Sequence, residues 1–218
     1  MVGLAMTLIG TAAEGAVGDP GLMTVKPGSW YLGGAVGRGG YRAGYQRTAD
    51  TILSTGVTAA TVTADAKSTV WKAYVGYQWL PQLSIEGGYW NFGHISYTAN
   101  ITAPGAANTA NRNFSADGWG ADVVYWLPFT NNIAAYGKVG SVLTDDRAGG
   151  FTPSNVPGSL PAQSARKLRP TFGLGAQYAI NNNLAARFEY ENVQKVGDDA
   201  KFGTANVEMW TIGLSYRY

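Results

Sequence analysis

The sequence predicts an all-β fold, an eight-stranded antiparallel transmembrane β-barrel. Segments rich in Tyr, Trp, Val and Gly alternate apolar and polar residues with period two. The connections between them alternate between tight and long. In each segment one parity forms an apolar row, and the charges fall on the other. An even strand count, short turns at one end and long loops at the other is the pattern of an outer-membrane-type barrel. Closing the sheet removes edges that would otherwise leave backbone groups unpaired in lipid.

Taken in chain order, residues 1–16 read as a signal-peptide remnant. An apolar stretch from Val2 to Ile9 is followed by small residues suited to cleavage near Ala13 or Ala16, although no Lys or Arg precedes it. Residues 17–29 read as a periplasmic segment and 30–218 as the barrel. Its strands are expected at Trp30–Arg38, Val70–Trp79, Leu83–Ser96, Phe114–Leu127, Ile133–Leu143, Arg169–Ile180, Leu184–Val193 and Asn206–Tyr218. "LPQ", "PFTNN" and "NNN" make tight turns after the second, fourth and sixth. The longer connections are rich in Thr, Ala, Asn, Gly and Pro.

The apolar rows include Trp71, Ala73, Val75, Tyr77 and Trp79 on the second strand. On the fourth the row is Trp119, Ala121, Val123, Tyr125 and Leu127, and on the last Trp210, Ile212, Leu214, Tyr216 and Tyr218. The row from Ile133 to Leu143 is small rather than strongly apolar. Lys72, Glu86, Asp122, Lys138, Arg187, Glu189, Glu191 and Arg217 take the opposite parity, with Gln177, and are assigned to the interior. A Lys or Arg facing lipid at mid-depth costs about 2–4 kcal/mol. Arg38 and Glu208 depart from the rule only at the loop end. Trp30, Trp79, Trp126, Phe129 and Tyr218 are placed at the turn end, and Trp71, Tyr89, Trp119, Tyr190 and Trp210 towards the loop end. These two groups read as interfacial girdles.

Composition excludes several alternatives. Only 14% of the 218 residues are charged, and cysteine is absent. The formal net charge of +2 carries no basic stripe of the kind that binds nucleic acid. One histidine without cysteine offers no metal cluster, and the glycine clusters lack the strand–loop–helix setting of a phosphate site, so no cofactor is expected.

"WYLGGAVG", "LSIEGGYW", "GLGAQYAINNNLAARFEYENV" and the C-terminal "TIGLSYRY" together resemble the transmembrane domain of the OmpA-type outer-membrane protein family. The resemblance runs from Trp30 to Tyr218. It implies a Gram-negative outer membrane, with termini in the periplasm, long loops outside, and contact with outer-membrane lipids and lipopolysaccharide. It also implies an interior salt-bridge network plugging the lumen, to which Glu86 and Arg187 correspond by motif. Asp122 stands where relatives often carry Lys and Gln177 where they often carry Glu, with Lys138 a possible compensating cation. Thr211, Gly213, Tyr216 and Tyr218 resemble the signal read by the barrel-insertion machinery. Family members often continue into a peptidoglycan-binding domain; since this sequence ends at Tyr218, the expectation covers the transmembrane domain alone.

His94 and Ser96 are the residues to weigh for catalysis. A His–Ser pair can form an activated nucleophile if a carboxylate orients the imidazole, and the pair weakly resembles that of lipid A deacylases. Counting parity from Glu86 and Trp90 places both inward, as polar residues at the barrel mouth. The sequence therefore points to a non-enzymatic barrel with a structural or surface-interaction role and an unspecified surface ligand. A narrow solute channel and a lipid A-modifying enzyme using His94 and Ser96 are the alternatives.

Overall fold

The computed structural model describes residues 27–43, 59–65, 67–103, 108–150, 161–198 and 203–218. The expected signal segment, and the periplasmic segment up to residue 26, lie outside the described residues. The strands are β1 (Trp30–Ala43), β2 (Ala59–Asp65), β3 (Lys67–Leu80), β4 (Leu83–Ala103), β5 (Asn108–Pro128), β6 (Ile133–Ala148), β7 (Gln163–Ala179), β8 (Leu184–Asp198) and β9 (Gly203–Arg217).

β2 and β3 are two stretches of one barrel stave. β2 pairs with the far half of β4 (Ala59↔Ala103 to Asp65↔Ser96), and β3 with its near half (Trp71↔Asn91 to Leu80↔Leu83). Antiparallel pairing then runs around the ring, and β1 closes on β9 from Tyr31↔Arg217 to Ala43↔Ala205. The result is the expected closed eight-stranded barrel.

β4 and β5 run to 21 residues each, well past the expected limits at Ser96 and Phe114. About 9–11 residues suffice to cross a bilayer. Beyond that height no face need be apolar, so "YTANITA" and "NTANRN" carry no alternation and read as loop. Hydrogen bonding carries the strands on regardless.

At the other end the turns are short and side-chain braced. Thr130 Oγ1 accepts from the amides of Asn132 (3.3 Å) and Ile133 (3.0 Å), and Asn181 Oδ1 from those of Asn183 (3.0 Å) and Leu184 (2.8 Å). Asn183 Nδ2 also donates to the Arg217 carbonyl at 2.9 Å, tying this turn to the closing strand.

The outer wall is apolar: Val36, Trp71, Val75, Trp119, Val123, Val139, Phe172, Leu174, Phe188, Ile212 and Leu214 are all exposed. A continuous belt of this kind needs hydrocarbon as its solvent. The inner wall is packed by large side chains set opposite glycines. Tyr31 lies opposite Gly76, Tyr74 opposite Gly33, and Tyr136 opposite Gly175. A Cβ at Gly76 or Gly175 would fall inside the facing tyrosine ring. These positions therefore fix which rings can cross the interior and in what register.

Gly175→Val should displace Tyr136 and lower stability by about 1–3 kcal/mol, the usual cost of overpacking. The measurement is the urea midpoint at which the heat-sensitive gel mobility of the folded barrel is lost. Gly87→Ala, which adds a methyl at an uncrowded outward site, should leave that midpoint in place.

Candidate functional site in the barrel interior

Alternation along each strand brings Lys72, Glu86, Asp122, Lys138, Arg187, Glu189 and Glu191 into one buried layer across the interior. Arg187 is its lower centre. Nη1 lies 2.7 Å from Glu86 Oε1 and Nη2 3.4 Å from Glu189 Oε2, while Nε donates to the Tyr136 hydroxyl at 3.1 Å. The rings of Tyr136, Tyr74 and Trp126 surround the guanidinium, with centroids 4.5, 4.7 and 5.3 Å away. Their π faces supply negative potential where water is excluded.

The upper centre holds two lysines. Lys72 Nζ pairs with Glu189 Oε1 and lies 2.6 Å from Glu191 Oε2. Lys138 Nζ lies 2.5 Å from Glu189 Oε1 and 3.3 Å from Asp122 Oδ2, and also pairs with Glu191 Oε1. Thr171 Oγ1 donates to Asp122 Oδ1 at 2.6 Å, and Trp90 Nε1 to Glu191 Oε1 at 3.1 Å. Tyr136 donates to Glu189 Oε2 at 2.6 Å, and Tyr31 to Glu86 Oε1 at 2.9 Å. Glu189 thus touches all three cations. With Tyr31 and Thr171 included, the layer links every stave except β9.

Apolar packing lies on both sides of this layer. Towards the turns sit Tyr31, Tyr74, Val124, Trp126, Ala134, Tyr136 and Ala179. Towards the loops a larger cluster includes Tyr41, Val70, Trp90, Phe92, Ile95, Phe114 and Met209. This loop-side packing was not anticipated from the sequence. Val70, Trp90, Phe92, Phe114 and Met209 share the charged parity of their strands, which was the available signal, whereas Ile95 does not.

The remaining sequence-selected residues sort as follows. Gln177 is buried and sits opposite Arg187 on the β7–β8 ladder. Arg217 stays at the turn end, outside the charge layer, with its Nε lacking a hydrogen bond among the described residues. Trp30, Trp71, Trp79, Trp119, Trp210, Tyr216 and Tyr218 are exposed on the outer wall, whereas Thr211 is buried on the inner one and Gly213 shares its parity. Trp126 corrects the girdle assignment. Its parity turns it inward, where Nε1 donates to Ser84 Oγ at 2.8 Å.

His94 and Ser96 are a second correction. A β-bulge between Asn91 and His94, with Gly93 at φ 73°, inserts a residue and reverses the parity beyond it. His94 is therefore exposed on the outer wall and Ile95 buried. Among the described residues the imidazole makes no hydrogen bond, so no carboxylate orients it as a nucleophile's base would need.

The pattern described as the OmpA-like transmembrane domain matches residues 26–218. Outer membrane protein A of Klebsiella pneumoniae is 26% identical over 201 residues, covering 88% of this chain and 52% of that protein. The Salmonella typhi protein of that name is 30% identical, covering 67% and 39%. That of Yersinia pseudotuberculosis is 28% identical, covering 100% and 54%. The chain thus spans about half the length of these relatives or less. Among solved structures, Neisserial surface protein A aligns with a TM-score of 0.55 at 10% identity, over 87% of this chain and 97% of that one. The attachment invasion locus protein Ail of Yersinia pestis aligns at 0.52 and 14% identity, over 88% and 100%. Both show the fold alone.

Arg187→Met leaves Glu86 and part of Glu189 uncompensated in a dry interior, and should cost about 3–5 kcal/mol. Adding Glu86→Gln should recover part of that loss. Urea unfolding followed by tryptophan fluorescence measures the cycle, and simple additivity would exclude the Arg187–Glu86 coupling.

Proposed function

Because the chain belongs to the family of OmpA-like transmembrane domains and is an outer-membrane β-barrel, we propose that it is a closed, non-enzymatic barrel with a structural and surface-interaction role. The observation that carries this reading is the interior itself. The charge layer intermixes three cations with four carboxylates rather than presenting one dominant sign, as a selective pore would. The loop-side apolar cluster lies in series with it. Eight strands leave an interior just wide enough for side chains to fill.

The tight, braced turns, the start of β1 and the end of β9 share one end, which this reading places in the periplasm. The long connections then face outwards and carry whatever surface contacts the protein makes. Tyr216 and Tyr218 stand on the outer wall with ring centroids 5.3 Å apart. This supports a role for Thr211, Gly213, Tyr216 and Tyr218 as the segment read during barrel insertion.

In planar bilayers the purified protein should show no large, steady conductance; stable open channels would overturn the closed-barrel reading. Orientation is tested separately with Gly150→Cys, exposed just beyond the loop end of β6, and Asn182→Cys in this cysteine-free chain. On intact cells a membrane-impermeant maleimide should label the first and spare the second.

A further inference from the structure

The wall between β7 and β8 is zipped only along its turn-side half. Their ladder runs from Ala179↔Ala185 to Thr171↔Val193 and stops there. Both strands continue, β7 beside β6 to Gln163↔Ala148 and β8 beside β9 to Asp198↔Gly203. Two features next to the last pair explain the stop. Pro170 has no N–H to offer a ladder. On β8 a bulge follows Val193, with Lys195 at φ 53° and its amide held by Asn206 Oδ1 at 3.0 Å. Among the described residues no backbone pairing joins 163–170 to 194–198.

Side chains close the breach that remains. Gly197 is caught through both of its backbone groups. Its amide donates to Asp146 Oδ2 on β6 at 2.9 Å, and its carbonyl accepts from Arg169 Nη2 on β7. Beside it, Lys167 Nζ lies 2.8 Å from Asp198 Oδ2. Val196 is buried in the loop-side apolar cluster. The closed arrangement leaves Asp146 Oδ1 and Arg169 Nε buried without a hydrogen-bond partner among the described residues. Polar atoms held dry and unpaired oppose the closed state.

We propose that Val196, Gly197 and Asp198 form a side gate that swings off β7 and opens the loop-side interior laterally. The left-handed turn at Lys195 is its hinge, and Asp146, Lys167 and Arg169 are its latch. A zipped pair of strands parts only by breaking its backbone ladder. Here three side-chain contacts have to yield, two of them made by long flexible chains. Opening also hydrates Asp146 Oδ1 and Arg169 Nε, which offsets part of the loss and brings the two states close in free energy. The latch is partly ionic: Lys167 is 45% exposed, so salt reaches and screens its pair with Asp198. Closure along the barrel axis is untouched, because Glu191 and the rest of the charge layer lie on the turn side of the breach.

The test places single cysteines in the cysteine-free full chain and follows their reaction with an uncharged maleimide in uncharged micelles. Removing the latch with Lys167→Met/Arg169→Met should speed the labelling of Val196→Cys by about tenfold or more, as expected when hydrogen bonds to charged groups are lost. High salt should speed it with the latch intact. Val70→Cys, buried in the same cluster but on β3, should keep its rate under both treatments. An unchanged rate at Val196→Cys after latch removal overturns the gate. An equal rise at Val70→Cys overturns it too, since that marks general loosening of the barrel. Heat-sensitive gel mobility reports whether each variant is folded. The salt measurement needs no latch variant, so it stands even where the double variant misfolds, and a salt-independent rate overturns the latch.

Discussion

Glu189 is the carboxylate on which the interior depends. Its oxygens meet Lys72, Lys138 and Arg187 and accept from Tyr136, so it joins the two ionic centres. Charges enclosed by a lipid-facing wall cannot draw on water, and desolvating each ion costs several kcal/mol before pairing offsets it. That cost explains why the ion pairs of the layer, Arg187–Glu189 within β8 apart, join different staves. A side chain from one strand cannot satisfy its neighbour on the same strand as well as one reaching across the barrel. The network therefore specifies which strands face one another more than it adds stability.

The glycines opposite Tyr31, Tyr74 and Tyr136 follow from the same constraint. The rings must lie flat across the neighbouring strand for Tyr136 to reach both Arg187 and Glu189, and for Tyr31 to reach Glu86. Any side chain at Gly76 or Gly175 would lift the ring and break those hydrogen bonds. A sequence reading that treats strand glycines as relief of crowding sees half of this. The other half is the directed contact that the cleared space permits.

Much of the architecture was legible because lipid enforces parity. The sequence alone assigns Lys72, Glu86, Asp122, Lys138, Arg187, Glu189 and Glu191 inward, since the lipid-facing row at mid-depth admits no charge. Trp126 lies near the turn end, where position along the chain suggests a girdle, but its parity turns it inward. The pairings were not legible: Asp122 meets Lys138 and Thr171, from the two strands that follow it. Parity names a face without naming a partner. The extensions of β4 and β5 were hidden because nothing beyond the bilayer demands alternation.

The Gly93 bulge shows how one backbone irregularity can serve both faces of a wall. An unbroken alternation from Trp90 and Phe92 would put His94 and Ser96 inside and Ile95 outside. The inserted residue instead seats Phe92 and Ile95 together in the loop-side apolar cluster, where their burial completes the packing above the charge layer. On the outer face it brings His94 level with Ser115 and Arg147. Gly93 permits this because its φ of 73° suits glycine and a Cβ would collide with Ser68, whose Oγ accepts from the His94 amide at 3.0 Å. The burial of Ile95 and the outward position of His94 therefore share a single local cause. A strand without the bulge would lose the two together.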